Sequence, residues 1–291
     1  MQMRVRSIRH MGFSVIAAAG AMLGLAPAAR AVPTVSSGTL VIQLDAATNV
    51  STSGSAVTTW GDQANTGTEP LVYGGTFSAG GTAPTLVPNS INGQPAIHFA
   101  GAGYLAAATP SATVGGDDTH IQWTFFFVTQ GATNPKGLFD TAPLVAGPIR
   151  FLNNNQVATQ ASNDSASDGL PVTLNSTGGT VFDFTFAGNA GLNNSTWAGF
   201  INGSSYTGST NVYTGNRRVT WKTPTIGAIN QGSPFFTGDV GEILIYQGVL
   251  TDADRQSVEN YLIAKYVTPA PEPASMGVLG LGALALLRRR K

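Results

Sequence analysis

The 291-residue chain has no cysteine, three histidines and four glutamates. The missing cysteines exclude a disulfide framework, a thiolate zinc site and a cysteine nucleophile. So few histidines leave little room for an imidazole-rich metal centre. Charged residues make up 10% of the chain, against about 25% in an average soluble protein. The formal charge is zero, but eight of the 15 basic residues sit in the two end segments. Seven remain between them against all 15 acidic residues, a net of −8. An acidic middle argues against a nucleic-acid partner, whose phosphates demand a basic surface. What the chain has instead is glycine, 36 residues of it, with much Ser, Thr and Asn, a composition of turns and strands rather than of long solvated helices.

The two ends read as addresses. Residues 1–31 open with Arg4, Arg6 and Arg9, continue as an apolar run from Met11 to about Ala29, and end on Ala29-Arg30-Ala31. Basic start, short apolar run and small-x-small exit are the pattern of a cleaved secretory signal handled by the Sec export machinery. The mature chain then begins near Val32. At the other end Pro271-Glu272-Pro273 precedes an apolar run, residues 274–287, and the basic residues 288–291 (Arg288, Arg289, Arg290, Lys291). Fourteen helical residues reach about 21 Å, short of the roughly 30 Å of a hydrocarbon core. The basic cluster is expected to stay cytoplasmic, leaving the body outside the inner membrane.

This tail, residues 271–291, resembles the PEP-CTERM sorting signal of Gram-negative bacteria in the order and spacing of its three parts. The resemblance implies recognition by an exosortase, cleavage near the triplet, and delivery to the cell surface or an exopolysaccharide matrix. The inner membrane would hold the chain only until then.

Residues 32–266 read as one all-β domain, and 267–270 as a linker to the tail. Strand patterns recur at Thr39–Asp45, Ala56–Trp60, Pro95–Phe99, Ile121–Thr129, Val181–Phe186 and Glu242–Tyr246. The aromatic run around Phe125-Phe126-Phe127 suits a strand buried on both faces. Asn202-Gly203 between Thr196–Ile201 and Ser204–Tyr206 predicts a hairpin with a type I′ turn, since both residues tolerate positive φ. One helix is expected to start at Thr251, capped by its hydroxyl, with Asp252 and Asp254 at the positive end of the dipole. Val258, Tyr261, Leu262 and Lys265 recur at helical spacing, and the helix should stop near Tyr266. Many strands without a βαβ rhythm predict two stacked antiparallel sheets, a jelly-roll sandwich with one short C-terminal helix.

Leu44-Asp45-Ala46, Val57–Asp62, Asn92–Gly101 with Tyr104-Leu105, and Phe236–Tyr246 with Leu250-Thr251 form an ordered series. That series is similar to the LamG-like branch of the concanavalin A-like lectin/glucanase superfamily. Its members are jelly rolls that bind glycans or proteins, and some hydrolyse polysaccharides. The closing motif there usually carries an acidic pair, whereas here Gly241 stands first and only Glu242 remains.

Retaining glycosidases need two carboxylates about 5–5.5 Å apart. The jelly-roll glucanases supply them from Glu-x-Asp-x-x-Glu. The nearest match is Thr237-Gly238-Asp239-Val240-Gly241-Glu242, without the first Glu. Asp239 and Glu242 are three apart, which on a regular strand sends them to opposite faces. A hydrolase is therefore the lesser reading beside a non-enzymatic adhesive or carbohydrate-binding protein, whose partner would be an extracellular polysaccharide. A structural coat protein without a ligand is a third. Calcium takes oxygen ligands only, and Asp45, Asp62 and Asp239 are its candidates; turn and cap duty explains the same residues. Trp60 and Trp221 are the aromatic candidates for stacking on sugar rings, although Trp221 also reads as an ordinary strand residue. His98 lies between apolar residues on a strand, and Asp117-Asp118 with His120 follows Gly115-Gly116 as a solvated turn would.

Overall fold

A computed structural model describes residues 31–64, 76–107, 122–132, 135–141, 149–151, 156–159, 168–174, 177–188, 194–214, 224–229 and 231–268. These belong to one compact unit, residues 30–270. The first strands are β1 (Thr39–Asp45), β2 (Val50–Ser53), β3 (Ala56–Gly61), β4 (Thr76–Gly81), β5 (Thr85–Ile91), β6 (Gln94–Ala100) and β7 (Gly103–Ala107). The middle of the chain supplies β8 (Gln122–Gln130), β9 (Phe139–Asp140), β10 (Ile149–Phe151), β11 (Gln156–Thr159), β12 (Asp168–Pro171), β13 (Thr180–Ala187), β14 (Asn194–Ile201) and β15 (Ser204–Thr214). Last come β16 (Thr225–Ile226), β17 (Ala228–Ile229), β18 (Gly232–Phe235), β19 (Thr237–Gln247) and the helix α1 (Asp252–Tyr266).

Two antiparallel sheets result, as the alternation predicts. The first runs β15-β14-β13-β8-β19-β1. The second runs β2-β3-β4-β7-β16-β9-β10-β11-β12. Strands β5 and β6 join them at one side: β6 pairs the first residues of β19, and β5 touches β3. Strands β17 and β18 form a separate ribbon.

Strand β8 shows why the first sheet lies in the middle. Trp123, Phe125 and Phe127 enter the core between the sheets, where Phe125 stacks on Phe184 at 4.6 Å between ring centroids. Phe126 and Val128 point the other way, into a second core closed by Val258, Tyr261, Leu262 and Tyr266 of the helix. Phe182, Phe184 and Phe186 of β13 all face the inter-sheet core. The Asn202-Gly203 turn has φ of 50° and 80° at its two residues, the pair of positive values a type I′ turn needs. Thr251 caps α1, its hydroxyl accepting the N–H of Asp254 at 3.3 Å. Among the described residues no helix is long and apolar enough to cross a membrane.

Candidate functional site

The polar chemistry of the first sheet lies on its helix-facing side. A bulge decides this. Asp239 sits opposite Gln130 and Val240 opposite Thr129, but Glu242 sits opposite Val128, so Gly241 is the extra residue. Inserting one residue reverses the side-chain alternation. Asp239 and Glu242 therefore share a face, against the expectation from their spacing. That face does not leave Glu242 open: it is fully buried, and its neighbour across the ladder is Asp45. Lys265 Nζ reaches Asp45 Oδ2 at 2.6 Å and Glu242 Oε2 at 2.8 Å. Tyr261 donates to Glu242 Oε1 at 3.1 Å, and Tyr266 to Asp45 Oδ1 at 3.4 Å. Burial pushes the Glu242 carboxyl up, with Lys265 working against it and Asp45 with it. Burial works to lower the Lys265 ammonium, but Glu242 and Asp45 together hold it above its ordinary value.

A second triad of the same stoichiometry sits under the other end of the helix. Arg255 Nη1 binds Glu259 Oε2 at 2.7 Å and Asp183 Oδ2 of β13 at 3.5 Å. Its guanidinium carbon lies 3.4 Å from the ring centre of Phe200. Asp183 is wholly buried, and its carboxyl is held well above the ordinary range by that burial and by the adjoining Glu259. The helix spacing carries part of this arrangement, because Arg255 and Glu259 are an i,i+4 pair. Asp183, 72 positions from Arg255, is invisible to it.

Beyond the helix end, Asp239 meets His98 of β6, Nδ1 to Oδ1 at 2.6 Å, and accepts from the Ser90 hydroxyl on Oδ2. Ser90 reaches it because β5 bulges between Val87 and Ile91. Gln130 donates to the Ser90 carbonyl at 3.3 Å. The Ser90 hydroxyl is aimed at the carboxylate rather than at the imidazole, so no base activates it as a nucleophile. His98 is oriented by the carboxylate, with 42% of its side chain exposed.

The calcium candidates are thus kept apart. Asp45 is bound to Lys265, and Asp239 to His98. Asp62 accepts the backbone N–H groups of Gln43 at 2.8 Å and Ala64 at 3.0 Å, shielding the free edge of β1. Among the described residues no three His, Asp or Glu side chains gather to hold a metal ion. Trp60 is fully buried in the inter-sheet core, so it cannot stack on a sugar. The reason is its position opposite Val50 and Phe77 on the inward side of β3. Trp221, the 117–120 cluster, Ala29 and the tail residues fall outside the described residues; Ala31 precedes a segment whose Val32 and Val35 pack on the helix-side core.

The second sheet turns its other face away from the core. Thr59, Ser78, Ala106, Thr225, Asp140, Arg150 and Ala158 follow one another across it in register. Arg150 Nε lies 3.2 Å from Asp140 Oδ1, both nearly buried.

Residues 269–291 match the family model for the PEP-CTERM protein-sorting motif. The chain carries a PEP-CTERM sorting tail. That tail implies an exported, surface-directed protein processed by an exosortase. No curated protein matches the chain. Among solved structures the fold is similar to an arabinofuranosidase complexed with arabinofuranosyl-alpha-1,2-xylobiose (15% identity, TM-score 0.51, covering 81% of this chain and 61% of that one). It is also similar to the binding domain of botulinum neurotoxin DC in complex with rat synaptotagmin II (12%, 0.50, 77% and 52%). Domain 4 of AbnA, an extracellular arabinanase from Geobacillus stearothermophilus in complex with arabinotriose, aligns over its whole length (12%, 0.48, 77% and 100%). At such identities the likeness is one of fold, a β-sandwich. The chain spans only about three fifths and one half of the first two.

Proposed function

We propose that the chain is a non-enzymatic protein of the cell surface or extracellular matrix of a Gram-negative bacterium. It is tethered to the inner membrane until an exosortase removes the tail, and its sandwich then serves adhesion or carbohydrate binding in the manner of a LamG-like module. The observation that carries this reading is where the carboxylates are. Glu242 and Glu259, the two described glutamates, are buried under α1 and bound to Lys265 and Arg255. A glycosidase needs an acid and a nucleophile open to the sugar, and the helix closes both off. The outward face of the second sheet, with Thr59, Tyr104 and the Asp140–Arg150 pair, is the surface left for an extended polymer, its small side chains allowing a close approach.

The purified full chain, incubated with a panel of arabinans, xylans and glucans, is expected to retain at least one polymer in affinity electrophoresis and to release no reducing sugar. Sugar release that disappears in Glu242→Gln would establish the hydrolase instead, the reading favoured by the bulge that puts Asp239 and Glu242 on one face. Neither retention nor release would leave a structural coat protein.

A further inference from the structure

The last turn of α1 is clasped by the rest of the domain. Asn92 Nδ2 donates to the carbonyls of Lys265 at 3.3 Å and Thr268 at 2.6 Å. The N–H groups of Val267 and Thr268 both return to Ile263 O. Gly179 packs so tightly on this end that a Cβ there would sit 2.3 Å from Tyr266 O, and the Asn202-Gly203 turn reaches Ile263. The backbone is thus fixed as far as Thr268. Only residues 269 and 270 separate it from the triplet at Pro271. Three peptide units reach about 11 Å at full extension. That is close to the Debye length of physiological salt, within which surface charges still feel one another.

The charges on this end fit an anionic neighbour. Among the described residues around the Asn92-Gly93, Thr177–Gly179 and Asn202-Gly203 turns, no carboxylate is exposed. Asp239, the nearest one that is partly open, is covered by His98 and Ser90. The exposed acidic groups of α1, Asp252 and Asp254, are at its other terminus, about 20 Å away along a 15-residue helix. An anionic bilayer surface repels exposed carboxylates and tolerates neutral turns.

We propose that the end of the sandwich around the C-terminus of α1 is a membrane-facing surface, held end-on against anionic lipid headgroups for as long as the tail is uncut. The inference rests on the tail being membrane-inserted, as the sorting reading requires. Because the chain has no cysteine, single labels are easily placed. The full chain with Ser204→Cys or Ala253→Cys, each carrying a fluorophore, is reconstituted into phosphatidylglycerol/phosphatidylethanolamine vesicles containing a headgroup-borne quencher. Both positions are exposed, one at each end of the helix. Quenching should be roughly threefold stronger at 204 than at 253, as their separation along the helix requires. Ser205→Cys and Gln256→Cys repeat the comparison should either first variant fail to reach the parent's circular dichroism. Equal quenching at the two ends, or stronger quenching at the helix N-terminus, overturns the proposal. A chain that does not float with the vesicles overturns the sorting reading itself, and the proposal with it.

Discussion

A methyl group on Gly241 would lie 2.8 Å from Cε1 of Tyr266 and 3.3 Å from Cδ1 of Ile91. Gly241 is therefore the bulge residue that turns Glu242 toward the helix and also the gap into which the last aromatic of α1 settles. Gly241→Ala should destabilise the domain by about 1–3 kcal/mol, the usual cost of overpacking, as read from the midpoint of urea unfolding. Asp62 offers a test of the opposite sign. Burial raises its carboxyl from 3.8 to about 6, outweighing the backbone N–H groups of Ala64 and Gln43 that favour the charged form. Its Oδ2 is buried without a hydrogen-bond partner. A raised folded-state value means that the folded chain holds the proton more tightly than the unfolded one. That contribution is complete below the unfolded value and is lost as pH rises through about 6. Asp62→Asn keeps an oxygen for the two N–H groups and removes the titration. The variant should gain on the parent between pH 4 and pH 7 in urea midpoints, and a parallel pair of curves would refute the assignment.

Helix α1 is bound to the sheet by two triads, each with one cation and two carboxylates, at Arg255 and at Lys265. Removing the cation leaves two buried carboxylates facing each other. Lys265→Met should therefore cost about 3–5 kcal/mol, as breaking buried ion pairs does, while Glu242→Gln, which leaves Lys265 its bond to Asp45, should cost markedly less. Both are read by urea unfolding at pH 7. The raised Asp183 and Glu242 carboxyls carry the same sign as Asp62. Docking of the helix should weaken as pH rises past their folded-state values, and Asp183→Asn should flatten the alkaline side of the profile. Much of this element was legible beforehand. The Thr251 cap, the acidic first turn, the end near Tyr266 and the stripe of Val258, Tyr261, Leu262 and Lys265 are all local patterns. Lysine in an apolar stripe was the available sign of a buried partner. The partners themselves were not legible, because Asp45 lies 220 positions from Lys265 and His98 lies 141 from Asp239. Strict alternation put Asp239 and Glu242 on opposite faces and left Asp183 for solvent. A one-residue bulge and a covering helix changed both, and neither leaves a mark in hydrophobic periodicity.

At the scale of the whole molecule the chain divides into a body and its addresses, and α1 belongs to the body although it runs to within five residues of the triplet. The argument is one of buried surface. Phe126, Val128, Val181, Leu244 and Tyr246 form the far face of the first sheet, and the helix is what covers them. The N-terminal segment is tied to the same helix: Ser36 and Ser37 donate backbone and hydroxyl hydrogens to Asp254 Oδ2 at 2.6–3.1 Å. Those bonds hold the Asp254 carboxyl below its ordinary range, the Ser37 hydroxyl contributing most. Two truncations separate the roles. Deleting residues 271–291 removes only the address, so the product should keep the parent's circular dichroism and urea midpoint while its location and mass in the cell change. Deleting residues 252–291 strips an apolar face far larger than a soluble monomer tolerates, and that product should bind a hydrophobic dye and aggregate. If the longer deletion proved as stable as the shorter, α1 would be part of the address and the buried triads would have no structural purpose. If the shorter deletion left the protein's location unchanged, the sorting motif would be silent in this chain.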